Sequence, residues 1–462
     1  MDLDAHVDAF LAAAVVPLDR AHTSGDLRAA EAIRASHPGI IVASLHAAAA
    51  YGDADAVATH LAAAGAHVSA VRRPHAWDAL TYLCFSRYLR LDRSRASDFH
   101  RAACVLLEAG ADAGTGFFAP GHQPRPEWES ALYGAAGVAH DAELTRLLLA
   151  HGADANDDEV SYHAPETHDL AALRVLVEHG GLTPDSLATM LLRKHDWHDL
   201  EGVRLLLAHG ADPNRQTRWG WTALQQALRR DNATAIIELL LAHGADPAFA
   251  AAPSLSTPGA ATTNAWRLAA WRGRADVLDV FARRAADAPL NDEFVLMAAA
   301  TRGDQAAARA RLTASPGLQQ RLLTHGAEWL ALAAGCGNVA AVRCWVALGV
   351  AVDALWDEGD GYFVIAPSST ALHVAAWRGQ HAVVEALLAL GADASLRNGR
   401  DETPLRLAVR ACVDAYWSGR RQPDSIARLL TAGADPADVP VPTGYDDADR
   451  LLALAARHRT AE

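Results

Sequence analysis

Residues 369–399 read STALHVAAWRGQHAVVEALLALGADASLRNG, and this pattern decides the fold of the chain. Thr370 can accept a hydrogen bond from a free amide at the start of a helix, as an N-cap residue does. Apolar residues follow it at helical spacing, but Gly379 interrupts the run, so the stretch predicts two short helices rather than one. Gly391 supplies the left-handed residue that commonly ends a helix. The apolar positions are Leu372, Ala375 and Ala376 in the first helix and Val383, Val384, Leu387 and Leu388 in the second.

The same pattern returns along the chain. Thr403-Pro404-Leu405 restarts it 33 residues after Thr370, with proline at the favoured first position of a helix. The stretch resembles the ankyrin repeat, whose signature is T-P-L-H-x-A-A-x-x-G followed by a second helix and G-A-D. The resemblance covers nearly the whole chain, in about twelve helix pairs. It is strong at 222–246 and 370–435, and weak at 17–38, 160–181 and 290–326.

The resemblance implies an all-α ankyrin-repeat solenoid, in which stacked helix pairs are joined by short turns and interrupted by several loop insertions. We expect an amphipathic helix at 3–16, a degenerate helix pair at 17–38, a long loop at 114–129 and a short extra helix at 318–325. The predicted domain limits are an N-terminal helix with a degenerate capping repeat at 1–38, ankyrin repeats at 39–247, an irregular insertion at 248–263, ankyrin repeats at 264–435, and a C-terminal capping helix at 436–462.

The composition limits location and partners. The chain of 462 residues carries a formal net charge of -14, which argues against sequence-independent binding to nucleic acid. Met1-Asp2-Leu3-Asp4 lacks the basic start of a secretory signal, and no apolar run is long enough to span a membrane. We therefore expect a cytoplasmic monomer without a cofactor, a membrane partner or a nucleic-acid partner. Reduced, buried thiols are expected at Cys84, Cys104, Cys336, Cys344 and Cys412, because no C-x-x-C pair occurs.

Candidate binding residues stand just before the residue that splits each helix pair. In the ankyrin family the first helices line a concave groove, so the resemblance places these residues on the groove side. Although the chain is acidic, most of them are basic and two are tryptophan. Arginine and tryptophan are common binding hot spots, and arginine can hold a carboxylate. We refer to this set as the groove row: Arg193, Arg229, Arg230, Trp271, Arg272, Arg302, Trp377 and Arg378.

The projecting loops are a second candidate surface. Trp219 lies at a turn tip between two clear repeats, and Tyr362 lies in an insertion at 354–369. Exposed aromatic residues beside glycine are typical of recognition loops, so both are counted among the partner-binding residues. Phe117 and Phe118 are expected to fold back onto the helices instead. The same packing role is open to the groove row, since arginine or tryptophan there can cover the ends of neighbouring helices.

The resemblance implies a non-catalytic scaffold that recognises another protein through the groove and the turns. The basic groove row favours an acidic partner. The alternative is an enzyme or a metal-binding protein with a small site on inserted loops near His195 and His198. These two histidines are three residues apart, with Asp196 between them, and could share one face of a helix. The catalytic motifs G-x-S-x-G, H-E-x-x-H and the Walker loop do not occur, so we do not expect an enzyme.

Overall fold

The computed structural model describes residues 3–63, 67–119, 127–250, 263–284, 291–415 and 417–459. They form two compact units. The first unit comprises the described residues up to 230 together with 242–245, and the second comprises 231–241, 246–250 and the described residues from 263 onward. Most of the segment predicted as an irregular insertion, 248–263, lies outside the described residues.

The first unit is built from short helices and one hairpin. The hairpin pairs β1 (Gly116–Ala119) with β2 (Glu127–Ser130) in antiparallel fashion, with Phe118 opposite Trp128. The unit also contains a π-helical turn at Gly134–Val138 and 3-10 turns at Ile41–Ala43 and Arg93–Arg95. The α-helices are α1 Leu3–Ala14, α2 Arg28–Ser36, α3 Leu45–Tyr51, α4 Ala54–Leu61, α5 Ala79–Cys84, α6 Arg87–Leu91, α7 Ala96–Glu108, α8 Ala131–Tyr133, α9 Ala142–Ala150, α10 Asp158–His163, α11 Ala171–His179, α12 Pro184–Asp196, α13 Leu200–Ala208 and α14 Ala223–Arg229.

The second unit is also built from short helices, and its described residues contain no hairpin. Isolated antiparallel bridges join Trp356 to Ser369 and Asp360 to Ile365 within the insertion at 354–369. Its 3-10 turns are Ser418–Arg420 and Pro436–Asp438. Its α-helices are α15 Thr234–Ala242 (within the unit as far as Leu241), α16 Ala265–Trp271, α17 Ala275–Arg284, α18 Asp292–Thr301, α19 Gln305–Ala314, α20 Pro316–Gly335, α21 Val339–Ala347, α22 Ala371–Trp377, α23 His381–Ala389, α24 Pro404–Val413, α25 Asp424–Thr431 and α26 Asp446–Arg459.

Local capping explains why the helices are short and where they begin. The Thr370 hydroxyl accepts a hydrogen bond from the amide of His373, and proline begins α24, as the sequence predicts. Second helices often begin after an aspartate or asparagine, such as Asp53, Asp141 or Asn338, whose side chain accepts an amide hydrogen bond. A residue with positive φ separates the two helices of most pairs.

Packing within each unit follows the order of the chain. First helices lie beside first helices, as in the series α20, α22 and α24, and second helices lie beside second helices, as in α21, α23 and α25. The same order relates α10, α12 and α14 in the first unit. The contact stripe of α22 consists of Leu372, Ala375 and Ala376, all of which are buried. Small side chains there allow close approach of neighbouring helices, so the core extends along a line of stacked pairs.

Three predicted elements differ from the structure. Residues 17–38 form the single helix α2, which packs on α1, rather than a helix pair. The short helix predicted at 318–325 is the first part of the continuous helix α20, because only Gly326 interrupts that run and it packs against Val350. The long loop predicted at 114–129 contains the hairpin.

The helices predicted at the two ends of the chain are present. In α1 the buried residues are Val7, Phe10, Leu11 and Ala14, the four that the sequence places on one side, and α26 lies within the predicted 436–462. All five cysteines are free thiols; Cys84, Cys344 and Cys412 are buried, whereas Cys104 and Cys336 are only partly buried. Among the described residues, no helix combines the length and the apolar character that a bilayer crossing requires.

Candidate functional site

The first unit brings together part of the groove row and one loop residue. The guanidinium group of Arg193 lies 3.9 Å above the ring of Tyr162, and that ring is 5.4 Å from the ring of Trp219. Arg229, at the end of α14, lies 4.1 Å above the ring of Trp221. All five side chains belong to partly exposed residues. We call this set the aromatic–arginine cluster: Tyr162, Arg193, Trp219, Trp221 and Arg229.

Carboxylates already neutralise two arginines of the groove row in this unit. Arg193 forms ion pairs with Glu166 and with Asp196. The other oxygen of Asp196 accepts hydrogen bonds from Arg230 Nε at 2.5 Å and from Gln226 Nε2 at 2.7 Å. Asp196 therefore links the ends of α12 and α14. An acidic partner that approached Arg193 or Arg230 would compete with carboxylates of the chain itself.

The ionic network continues from Glu166 into the interior of the first unit. His163 Nδ1 is 2.7 Å from Glu166 Oε2, and His163 Nε2 is 3.2 Å from Glu159 Oε2. Burial alone would lower the pKa of His163, but the hydrogen bonds to Glu159 and Glu166 outweigh it and raise the pKa to about 9. Burial, together with the nearby carboxylate of Glu159, raises the pKa of Glu129 to about 8. The network thus contains two groups that titrate within the physiological range or close to it.

We expect the stability of the first unit to fall as the pH rises toward 9. The folded-state pKa of His163 is raised, so its stabilisation is complete below the unfolded value of about 6.5 and is lost as the pH passes about 9. The raised pKa of Glu129 acts in the same direction between its ordinary value and about 8, because the fold favours its neutral form. Hydrogen exchange of α10, which carries Glu159 and His163, measures the combined slope once it is corrected for the intrinsic rate.

Two variants separate the two contributions. His163→Gln should flatten the part of the slope that extends to about pH 9, and Glu129→Gln should flatten the part below about pH 8. A slope unchanged in both variants would mean that other groups carry the pH dependence.

The residues on which the enzyme or metal-binding alternative depends lie in or next to the packed helix α12. Lys194 and His195 are both fully buried on α12, and His198 adopts a positive φ of 52° at the turn after that helix. Lys194 Nζ donates to Asp199 Oδ2 at 2.7 Å and to the carbonyl of Thr167 at 2.6 Å. In the described part of the chain, no group of three or more His, Cys, Asp or Glu side chains is arranged to hold a metal ion.

In the second unit, two arginines of the groove row converge on one aspartate. Asp231 Oδ1 accepts a hydrogen bond from Arg272 Nε at 3.0 Å, and Oδ2 accepts one from Arg378 Nη2 at 3.1 Å. The thiol of Cys336 lies 3.4 Å from Oδ1. Burial alone would raise the pKa of Asp231, but Arg272 and Arg378 hold it well below its usual range. Burial, followed by the charge of Asp231, raises the pKa of Cys336 to about 12.

The insertion at 354–369 covers these two arginines. The ring of the buried Phe363 lies 3.7 Å from the guanidinium carbon of Arg378, and its backbone carbonyl accepts a 2.6 Å hydrogen bond from Trp377 Nε1. As a result, Arg272 is 9% exposed and Arg378 4% exposed. The sequence pattern predicts that these charges face a partner, whereas the structure turns them inward against Asp231. Tyr362 remains partly exposed beside Phe363.

The other residues of the groove row in this unit lie elsewhere. Trp271 is partly exposed, donates from Nε1 to Glu328 Oε1 at 3.2 Å and packs edge-on against Trp329. Arg302 is exposed, with Nε 3.3 Å from Asp279 Oδ1. These contacts do not join Trp271 or Arg302 to the cluster around Asp231.

The hairpin places Phe117 and Phe118, which are both expected to fold back, on opposite faces of β1. Phe117 is buried and stacks on Trp77 with ring centroids 4.3 Å apart, as expected. Phe118, on the opposite face of the strand, is 65% exposed and contacts the exposed ring of Trp128 at 4.9 Å. The alternation of side chains along a strand explains the difference, which the prediction of a loop for this segment does not include.

Comparison with known proteins agrees with the helix pairs. Two family models, both described as ankyrin repeats (many copies), match residues 190–241 and 346–408. No curated protein matches the chain. The first matched segment includes α13 and α14, and the second includes α22 and α23. The chain therefore contains ankyrin repeats, and the regular structure of its described residues consists mainly of stacked helix pairs with little strand.

Proposed function

We propose that this chain is a non-catalytic scaffold that binds another protein, and that the aromatic–arginine cluster of the first unit is its main contact surface. Ankyrin repeats generally mediate protein–protein interaction. The observation that supports this choice of surface is the contact network of partly exposed side chains that joins Arg193, Tyr162 and Trp219, with Arg229 and Trp221 nearby in sequence. Tryptophan, tyrosine and arginine are the residues most often found as hot spots.

The contacts within the cluster favour binding because they restrain the side chains before a partner arrives. Arg193 is held by Glu166, Asp196 and the Tyr162 ring together. Side chains that are already ordered lose less conformational freedom on binding, which leaves more of the interaction energy for affinity. An acidic segment of the partner is the chemistry that fits Arg193, Arg229 and Arg230, in competition with the carboxylates of the chain.

The second unit extends the proposal through its accessible residues. Trp271, Arg302 and Tyr362 are at least partly exposed and could each touch a partner. Arg272, Trp377 and Arg378 would act indirectly, since they bond to Asp231 and hold the insertion that carries Tyr362.

The double variant Trp219→Ala/Arg229→Ala should lose the partner. Protein captured from the native lysate by the wild type would be identified, purified and titrated against the variant. Removal of one hot-spot side chain typically costs about 2 kcal/mol or more, so affinity should fall by roughly 30-fold at least. The matched control is Trp128→Ala, which removes another exposed tryptophan from the same unit.

Equal affinity of wild type and double variant would overturn the choice of surface. Failure of the wild type to retain any protein would count against the scaffold function itself. Circular dichroism of each variant establishes that it remains folded before affinities are compared.

A further inference from the structure

The arginine-rich segment between α5 and α7 contains two guanidinium groups that lack a carboxylate. Arg87 and Arg90 lie three residues apart on α6, so they share one face of that helix. Helix α6 packs against α3, whose last residue is Tyr51. This segment therefore lies beside the end of a first helix, the position at which the groove row occurs in other repeats.

The hydrogen bonds of these two arginines are incomplete. Arg87 is 8% exposed; its Nη1 donates to the carbonyl of Ala13 at 3.0 Å, and its buried Nε has no acceptor. The Nε and Nη2 atoms of Arg90 are buried and likewise have no acceptor. Among the residues that the structure describes, no carboxylate oxygen lies within 4.0 Å of either guanidinium group. By contrast, Arg193, Arg230, Arg272 and Arg378 all have a carboxylate partner.

The surroundings add positive charge. Burial lowers the pKa of Arg90, and the charges of Arg87 and Arg93 lower it further. The pKa of Arg87 is lowered as well. Burial is the largest cause, the charge of Arg20 adds to it, and the charge of Asp26 opposes it to a smaller extent. The carboxylate of Asp26 is itself bonded to Arg28, with Nε 2.7 Å from Oδ2. Arg20 lies 3.6 Å from Asp19 and Arg93 lies 3.8 Å from Asp141, so the two cations here without a carboxylate are Arg87 and Arg90.

Such an arrangement is unfavourable unless something supplies acceptors. Buried polar groups are nearly always hydrogen-bonded, and an unsatisfied buried charge calls for an ordered water or ion. Arg87 donates to the carbonyl of Ala13 near the end of α1, a position where a cation is favourable. This bond does not neutralise the charge of Arg87, and it supplies no acceptor for Arg90. Gly25 borders the group from the other side: a Cβ there would lie 2.9 Å from Arg87 Nη2. The backbone thus approaches Arg87 without a side chain that could accept its free N–H groups.

We propose that Arg87 and Arg90, with Arg20 and Arg93 beside them, form a binding site for an oxyanion, a carboxylate or a phosphate group carried by the protein partner. The inference rests on the proposed scaffold function and names the chemistry that the partner presents. Two guanidinium groups on one helix face supply several N–H donors for the oxygens of one anion. Arg87 and Arg90 thus differ from Arg193 and Arg230 of the groove row, which already have a carboxylate partner within the chain.

The test uses the full chain and inorganic phosphate as the first probe. Phosphate should raise the melting temperature of the wild type above that in chloride of equal ionic strength. In Arg90→Gln, which has no part in holding α1, phosphate should bind about tenfold more weakly, because charged hydrogen bonds are lost. Arg101→Gln is the matched control, since Arg101 is exposed on α7 and pairs with Asp98 at 2.9 Å. It should bind phosphate as the wild type does.

Two peptides then distinguish the sources of the oxyanion. A glutamate-rich peptide that binds the wild type and not Arg90→Gln identifies a carboxylate, and a phosphoserine peptide that does so identifies a phosphate. Phosphate and peptide affinities that are equal in the wild type and Arg90→Gln, or absent from both, overturn the site. Capture of a partner by the wild type would then still support the scaffold. If phosphate depends on Arg90 but no partner is captured, the site stands and the scaffold proposal fails.

Discussion

Replacement of Asp231 by asparagine is expected to destabilise the second unit by about 3–5 kcal/mol, because it leaves the buried charges of Arg272 and Arg378 without their anion. The substitution keeps the size of the side chain, so the effect reports charge rather than packing. Asparagine also tolerates the positive φ of 52° at this position, so backbone strain changes little. The loss should be concentrated in α16, α20 and α22, which carry Arg272, Cys336 and Arg378 at their ends.

Hydrogen exchange measured helix by helix is the appropriate readout, because the chain has two units and a single melting temperature would mix them. Protection of α16, α20 and α22 should fall in Asp231→Asn. The matched control is Asp279→Asn, which removes the partner of the exposed Arg302 in the same unit. Exposed pairs contribute up to about 1 kcal/mol, so the control should change little.

A double-mutant comparison decides whether the three residues act together. In an Arg272→Met/Arg378→Met background the two cations bonded to Asp231 are gone and Arg274 keeps its own partner Asp276, so Asp231→Asn should cost much less than in the wild type. Equal effects in the two backgrounds, or an effect no larger than that of Asp279→Asn, would mean that other groups neutralise the two arginines. The same reasoning shows that charge reversal of Arg272 and Arg378 would test the fold before it tested a partner.

Features governed by nearest neighbours in the chain could be predicted from the sequence. The N-cap at Thr370, the proline at the start of α24 and the glycine ends of the helices each depend on two to four consecutive residues. The four residues that α1 buries follow from its periodicity alone. These local rules explain why the helix pairs, and with them the fold, can be derived without coordinates.

The pairing of the groove row could not be predicted in the same way. Asp231 is 41 residues from Arg272 and 147 residues from Arg378 along the chain, so no local pattern joins them. The insertion that covers them has no regular helix that a periodicity could reveal. The sequence places these arginines correctly at helix ends, but their exposure depends on the residues that the neighbouring repeats and the insertion bring next to them.

One signal was nevertheless present in the sequence. Asp231 occupies the position at which other pairs have Gly273, Gly303, Gly337 or Gly379, and all of these residues have positive φ. A residue with a side chain pays roughly 1–2 kcal/mol for that conformation. An aspartate there therefore indicates that its side chain has a compensating role, here the acceptance of two arginine hydrogen bonds. His198 and His140 occupy similar positive-φ positions in the first unit.

Replacement of Lys194 by methionine is the second substitution with a large expected effect, a destabilisation of the first unit by about 3–5 kcal/mol. Lys194 is 0% exposed, and its ammonium group is the buried partner of Asp199 and of the Thr167 carbonyl. Methionine fills the space of the stem but leaves both acceptors without a donor. Arg204→Met, which removes an exposed pair with Glu201 on the next helix, is the control and should cost less than about 1 kcal/mol.

The pH dependence of two variants separates charge from packing at this site. In Asp199→Asn the amide oxygen can still cap α13, but Lys194 is left as an unpaired buried cation, and burial already lowers its pKa in the wild type. The folded state then releases a proton that the unfolded state keeps, so the stability of this variant should rise with pH. In Lys194→Met the group that releases this proton is absent, so this pH dependence should disappear. Hydrogen exchange of α12 and α13, corrected for the intrinsic rate, should therefore show the slope in Asp199→Asn and not in Lys194→Met. Parallel slopes would show that both substitutions act through lost packing, and that the buried pair carries no net charge interaction.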